Sequence, residues 1–317
     1  MNSSNLSDFQ KLRKQAQDIL APHVISSERL IDLYLVSLLA GGHLLLVGPP
    51  GVAKTRSASL FSQLLSLEFK RVQFTPDLLP SDITGVEIYD PKKQEFFMKK
   101  GPIFASFVLA DEINRAPSKV QSALLEAMQE MQVTIGTASY SLPDPFFVVA
   151  TMNPLDGQGT YPLPEASLDR FLLSYRLEMP TLETEIAIMK QSHVRETPIL
   201  ASIIDTQSLV AMRKSAEHIV FVDEKIIRYI ARLVTCTRDS KMTDFAHGIS
   251  PRGSIALLSA VRIYAALKGR DYVIPEDVKE LAPHILEHRV SLSYEALSVG
   301  KTNKSVIADL LATVSIE

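Results

Sequence analysis

The stretch Leu44-Leu-Leu-Val-Gly-Pro-Pro-Gly-Val-Ala-Lys-Thr55 decides how the rest of the chain is read. A short apolar run ends at Gly48, and a lysine–hydroxyl pair, Lys54-Thr55, follows at the spacing of a phosphate-binding loop. That spacing has a physical purpose. A buried strand delivers the chain to a loop whose N–H groups converge on phosphate oxygens, and the next helix starts there with its positive dipole end. On this reading Gly48, Pro49, Pro50, Gly51, Val52 and Ala53 line the loop, with Arg56 in the helical turn that follows. Lys54 supplies a point charge to the terminal phosphates, and the Thr55 hydroxyl ligates Mg²⁺. The general pattern has glycine before the lysine. Ala53 stands there instead and is expected to hold a right-handed backbone at the helix start. Gly-Pro-Pro-Gly is also a plain turn between a strand and a helix, so the stretch needs support from elsewhere.

The whole chain sets the bounds. Its 317 residues allow two domains, and 46% hydrophobic with 22% charged residues is the balance of a globular protein. A formal charge of −3 argues against a dedicated nucleic-acid binder, which carries a basic excess. The single cysteine, Cys236, excludes an intrachain disulfide, fits a reducing compartment and is expected in the core. The opening Met1-Asn-Ser-Ser-Asn-Leu-Ser-Asp8 lacks the pattern of a signal peptide, so a cytoplasmic protein is expected. Leu30–Val47 is almost wholly apolar, but Asp32, Gly41-Gly42 and His43 divide it into a helical half and a strand half. It reads as core.

Taken in order, helical spacing covers residues 5–20 and about 28–40, followed by the strand at Leu44–Val47. A second strand is expected at Arg71–Phe74. The proline-rich region 75–102 contains a hairpin of Gly85–Tyr89 with Glu95–Lys100. Ile103–Ala110 reads as a continuous apolar strand, and Ser118-Lys-Val-Gln121 as a capping box opening a helix. A hairpin around Gly136 occupies about 131–143. Phe146–Thr151 and Phe171–Leu177 are further strands. Unbroken apolar strands alternating with helices predict an α/β fold with a parallel sheet covered on both faces. Beyond Pro180 the periodicity is helical, which divides the chain into a core domain, 1–180, and a smaller helical lid, 181–317.

Four further sites carry chemistry. Asp111-Glu112 ends a buried strand, where open α/β sheets place ligands. Asp111 is expected to hold Mg²⁺ through water, and Glu112 to deprotonate an attacking water. Asn153, just past the next strand, could position that water without adding charge, or be a turn-forming Asn-Pro. Arg170 could serve a neighbouring subunit's phosphate, or form a surface pair with Asp169. Arg252, behind Pro251 at the head of a helix, could reach the nucleotide.

Together these elements, in this order, resemble the AAA+ ATPases. More narrowly, four strings are similar to the MoxR family: Phe74-Thr-Pro-Asp-Leu-Leu-Pro-Ser-Asp-Ile-Thr-Gly85, Leu109-Ala-Asp-Glu-Ile-Asn-Arg-Ala-Pro117, Gln121-Ser-Ala-Leu-Leu-Glu-Ala-Met-Gln-Glu130 and Leu163-Pro-Glu-Ala-Ser-Leu-Asp-Arg-Phe171. Gly51-Val-Ala-Lys-Thr55 resembles the family's own form of the loop. The resemblance covers about residues 20–290. It implies an ATP- and Mg²⁺-dependent ATPase of the helix-2-insert group that forms a hexameric ring, with a parallel five-stranded sheet and a helical lid. It also implies an insert at about 75–102, a hairpin at about 131–143 and adenine-side contacts at Val24 and Ile25. Ser26-Ser27 depart there from the family's usual glycine. Family members are associated with chaperone-like maturation of protein complexes, including metal-cofactor insertion, often with a von Willebrand factor A domain partner. The alternative is a nucleic-acid-associated motor or transcription regulator. Two patterns fall outside this reading: His284-Ile-Leu-Glu-His288 has the spacing of an inverted zinc-protease motif, and Lys92-Lys93 with Lys99-Lys100 reads as a solvated hairpin face.

Overall fold

The computed structural model describes residues 5–23, 27–154, 160–191 and 199–316. Val24 and Ile25, and most of the loop between Pro154 and Thr160, lie outside them. Five strands build one parallel sheet: β1 (Leu44–Val47), β2 (Phe69–Gln73), β3 (Phe107–Asp111), β4 (Phe147–Met152) and β5 (Leu173–Arg176). Their order is β2-β3-β4-β1-β5. Alternation along the strands explains why they read as unbroken apolar runs. Leu44, Leu46, Phe107, Leu109, Phe147 and Val149 pack into one hydrophobic cluster. Leu45, Val47, Val108, Ala110, Val148 and Ala150 pack into the other, on the opposite face.

Several strand limits differ from expectation. The third strand starts at Phe107 rather than Ile103, because Pro102–Phe104 forms a 3₁₀ turn with Phe104 N donating to Gly101 O. Ser118 is already inside its helix, and Pro117 occupies the N-cap, so the expected capping box does not form. Gln121 is instead buried and donates to the carbonyls of Ile113, Ala116 and Tyr161.

The helix Ser27–Leu39 is buried on nearly all sides, which is why it carries no polar stripe. Its one buried acid, Asp32, receives a bidentate Arg13 at 2.8 Å and Gln17 at 2.8 Å from the helix Leu6–Leu20. No described helix is long and apolar enough to cross a membrane. Arg29 of the same buried helix reaches the helix Pro275–Leu286, meeting Glu280 and the ring of His284. The helix Pro251–Leu267 shares the same hydrophobic cluster. Past residue 181 the helices follow the expected periodicity, joined by a small antiparallel pair, Phe245–His247 with Ser291–Leu292. The Cys236 thiol is half-buried at its edge.

The region expected as an insert contains a short helix, Pro80–Thr84, and a two-stranded hairpin, Gly85–Asp90 with Glu95–Lys100. A second hairpin pairs Gln132–Ile135 with Ala138–Ser141.

His43 fixes the start of β1 against its neighbour. Its Nδ1 accepts from Val148 N at 3.1 Å, which leaves the proton on Nε2, 3.3 Å from Met128 O. Burial pushes its pKa down to about 4. The unfolded chain therefore takes up this proton first, and the contribution of His43 to stability is lost as pH falls from about 6.5 towards about 4. We expect the stability of wild type to fall more steeply over that window than that of His43→Gln, by on the order of 3 kcal/mol in total. Denaturant midpoints measured across the window check this; parallel profiles would contradict it.

Candidate functional site

The loop leaves β1 at Gly48, whose N donates to Met152 O at 3.0 Å. A Cβ at Gly48 would lie 2.7 Å from the Leu177 carbonyl oxygen, so only glycine fits where β1 passes β5. Gly51 has a positive φ, and a Cβ there would face open space. Ala53 is left-handed, at φ 58° and ψ 25°, which corrects the right-handed backbone expected from the sequence. The chain reverses hand at this residue, immediately before the helix Lys54–Leu64 begins. An alanine in that region costs about 1 kcal/mol relative to glycine. Lys54 is buried and spans the loop, its Nζ 2.7 Å from Gly48 O. In the same first turn the Arg56 Nε is buried without a hydrogen-bond partner among the described residues.

Asp111 ties this loop to the sheet. Its Oδ1 accepts from Thr151 Oγ1 at 2.6 Å, and its Oδ2 from Thr55 Oγ1 at 3.1 Å and Arg71 Nη2 at 2.7 Å. Thr151 Oγ1 in turn accepts the amide of Glu112 at 2.8 Å. One hydrogen-bonded chain thus runs from Thr55 through Asp111 and Thr151 to Glu112. Glu112 itself is left-handed, at φ 58° and ψ 50°, which turns its side chain away from the strand. Its Oε2 accepts from Gln73 Nε2 at 3.0 Å and pairs with Arg115 at 3.0 Å. Asn153 is buried past the end of β4, and its carbonyl accepts from Asn114 Nδ2 at 3.3 Å.

The other two arginines form a separate cluster. Arg170 donates to Ala166 O at 2.8 Å, and its Nε is buried without a partner among the described residues. The alternative Asp169–Arg170 surface pair is not what forms. Asp169 Oδ1 pairs with Arg289 Nε at 2.8 Å, and its Oδ2 accepts from Ser250 Oγ at 2.9 Å. Ser250 is the N-cap of the helix that carries the exposed Arg252. His284 and His288 have other partners: Arg29 donates to the first ring, and the second meets the Phe171 carbonyl at 3.0 Å.

The residues fit a magnesium nucleotide. Thr55 and Asp111 offer the hard oxygen donors this cation takes, the loop is open at Gly51, and a buried guanidinium nitrogen on Arg56 lacks an acceptor. Sequence reasoning missed Arg71, Gln73, Arg115, Thr151 and Arg289. Arg71 and Gln73 share one face of β2 at a spacing of two, the one local signal that could have marked them.

Known proteins similar to this chain identify its family. Residues 43–173 match the ATPase family associated with various cellular activities (AAA), and residues 240–310 match an AAA lid domain. The chain is 43% identical to Chaperone MoxR1 of Mycobacterium tuberculosis, over 92% of this chain and 79% of that protein. It is 29% identical to Protein MoxR of Paracoccus denitrificans, over 92% and 91% of the two chains. A solved structure of a candidate ATPase from Cytophaga hutchinsonii superposes with a TM-score of 0.90 at 39% identity, covering 98% of this chain and 96% of the other. At this identity and coverage, and with the core and lid models matched in turn along it, the chain belongs to the MoxR family of AAA+ ATPases.

Proposed function

We propose that the chain hydrolyses ATP with Mg²⁺ and uses the resulting motion to remodel partner proteins, as a chaperone-like ATPase. The observation that carries this reading is the continuous chain Thr55–Asp111–Thr151–Glu112 at the carboxyl edge of the sheet. Lys54 and the loop amides bind the phosphates, with Arg56 beside them. Thr55 and Asp111 would hold Mg²⁺, which would supply positive charge to offset that of the phosphates. Glu112 takes a proton from a water whose oxygen bonds to the γ-phosphorus, while the bond from that phosphorus to the β–γ bridging oxygen breaks. ADP and orthophosphate result. Asn153 orients the water, and Arg252 carries the state of the nucleotide to the lid. To face that water the Glu112 carboxylate must turn from Gln73 or Arg115, which hold it here.

Arg170 lies in a different cluster from the Asp111 chain, which favours service to a neighbouring subunit in a hexameric ring. A client protein, including one with a von Willebrand factor A domain, would meet the insert hairpin. There Val86, Ile88, Tyr89, Phe96 and Phe97 stand exposed on both faces of the two-stranded ribbon. Maturation of a metal-containing complex in the cytoplasm is one such task. The MoxR1 relative's description as a chaperone and the chain's net charge of −3 favour a protein client over nucleic acid.

Glu112→Gln should retain ATP affinity and lose at least about 100-fold in turnover; wild-type turnover would remove Glu112 as the base. Mixed with Arg170→Ala subunits, Glu112→Gln subunits should restore hydrolysis, each supplying what the other lacks. Thr151→Val removes the hydroxyl shared by Asp111 and Glu112. It should raise the Mg²⁺ concentration for half-maximal turnover by roughly 10-fold. A Mg²⁺ titration of turnover at saturating ATP reads this directly, and an unchanged midpoint would sever Thr151 from the metal site.

A further inference from the structure

We infer that Asp169 is a mechanical joint that carries lid movement to Arg170, with Ser250 and Arg289 as positioning residues for that arginine. The inference rests on the proposed role of Arg170 at a neighbouring site. Each carboxylate oxygen of Asp169 is taken by a different part of the lid. Oδ2 accepts from Ser250, two residues before Arg252, and Oδ1 from Arg289, which follows the helix Pro275–Leu286. Arg289 does more than pair. Its Nη2 donates to Phe171 O at 2.6 Å and Asp169 O at 3.3 Å, and its Nη1 to Leu172 O at 3.2 Å. One guanidinium therefore grips the backbone on both sides of Arg170. The ring of His288 meets the Phe171 carbonyl as well.

Arg289 also lies against the start of the Arg252 helix, where a Cβ on Gly253 would be 3.5 Å from its Cδ. Its side chain is only 3% exposed. A buried guanidinium stripped of its carboxylate is strongly unfavourable, so this contact moves as a unit rather than slipping. Arg170, by contrast, donates to Ala166 O, and its Nε has no partner among the described residues. When Arg252 responds to nucleotide in its own subunit, the head of its helix shifts. Ser250 and Arg289 then move Asp169, and Arg170 is re-aimed. The state of one site thereby sets whether the next site receives its arginine.

The test uses mixed full-length subunits. Glu112→Gln subunits donate Arg170, and Arg170→Ala subunits provide working sites. This reference mixture must recover hydrolysis; no recovery at any ratio overturns both the role of Arg170 between subunits and the joint. With recovery in hand, Arg289→Lys is placed in either partner. In the donor it should reduce the recovered kcat at least 10-fold without moving the KM for ATP. In the acceptor, whose own Arg170 is already absent, it should leave recovery within twofold. Equal loss on either side would make Arg289 a structural clamp, and no loss on either side would make it irrelevant to Arg170; both overturn the joint. Ser250→Ala, which leaves every charge paired, provides the same comparison if Arg289→Lys does not fold. Its donor-side loss should be roughly threefold, and symmetrical loss or none at all again contradicts the joint.

Discussion

Asp111 cannot be buried alone. A carboxylate at the end of a covered strand must find donors for both oxygens or shed its charge. Here those donors come from different elements: Thr55 from the phosphate loop, Arg71 from β2 and Thr151 from β4. Satisfying one acid therefore fixes the loop, the edge strand and the central strand relative to each other. The same hydroxyl that satisfies Asp111 also anchors the amide of Glu112. The geometry of the candidate site is thus the hydrogen-bond solution to burying Asp111.

The remaining charged groups obey a different logic. Arg170 and Arg252 are linked to each other through Asp169, Ser250 and Arg289, not to the Asp111 chain. One cluster holds the groups proposed to act on a nucleotide bound by this chain. The other bridges the core and the lid and ends in an arginine with an unpaired nitrogen. The lid is further steadied by Arg29, which reaches across from the buried helix Ser27–Leu39 to Glu280. The lid is thereby tied to the helices that precede β1.

Much of this was legible in the residues. Strands covered on both faces must be apolar throughout, so β1, β3 and β4 stood out, as did the polar residues at their ends. Asp32 marked the long apolar run as core, and the structure supplies the reason in Arg13 and Gln17. Other features left no local trace. Residue type does not report the sign of φ, and Ala53 was misjudged for that reason. Gln121 sits at capping-box spacing but spends its amide on three carbonyls outside its helix, one of them 40 positions away. Arg71 and Gln73 look like the wet face of an edge strand until Asp111 and Glu112 are placed beside them. Arg289 lies 120 positions from Asp169, so only the folded chain reveals their pairing.

The central claim is that one chain carries an incomplete site, finished by its neighbour. The most direct measurement is ATP turnover per subunit across a dilution series, with mass determined at each concentration. The account predicts that turnover per subunit collapses as rings give way to single chains and returns on reconcentration. Unchanged turnover per subunit at dilutions where only single chains are present would contradict it.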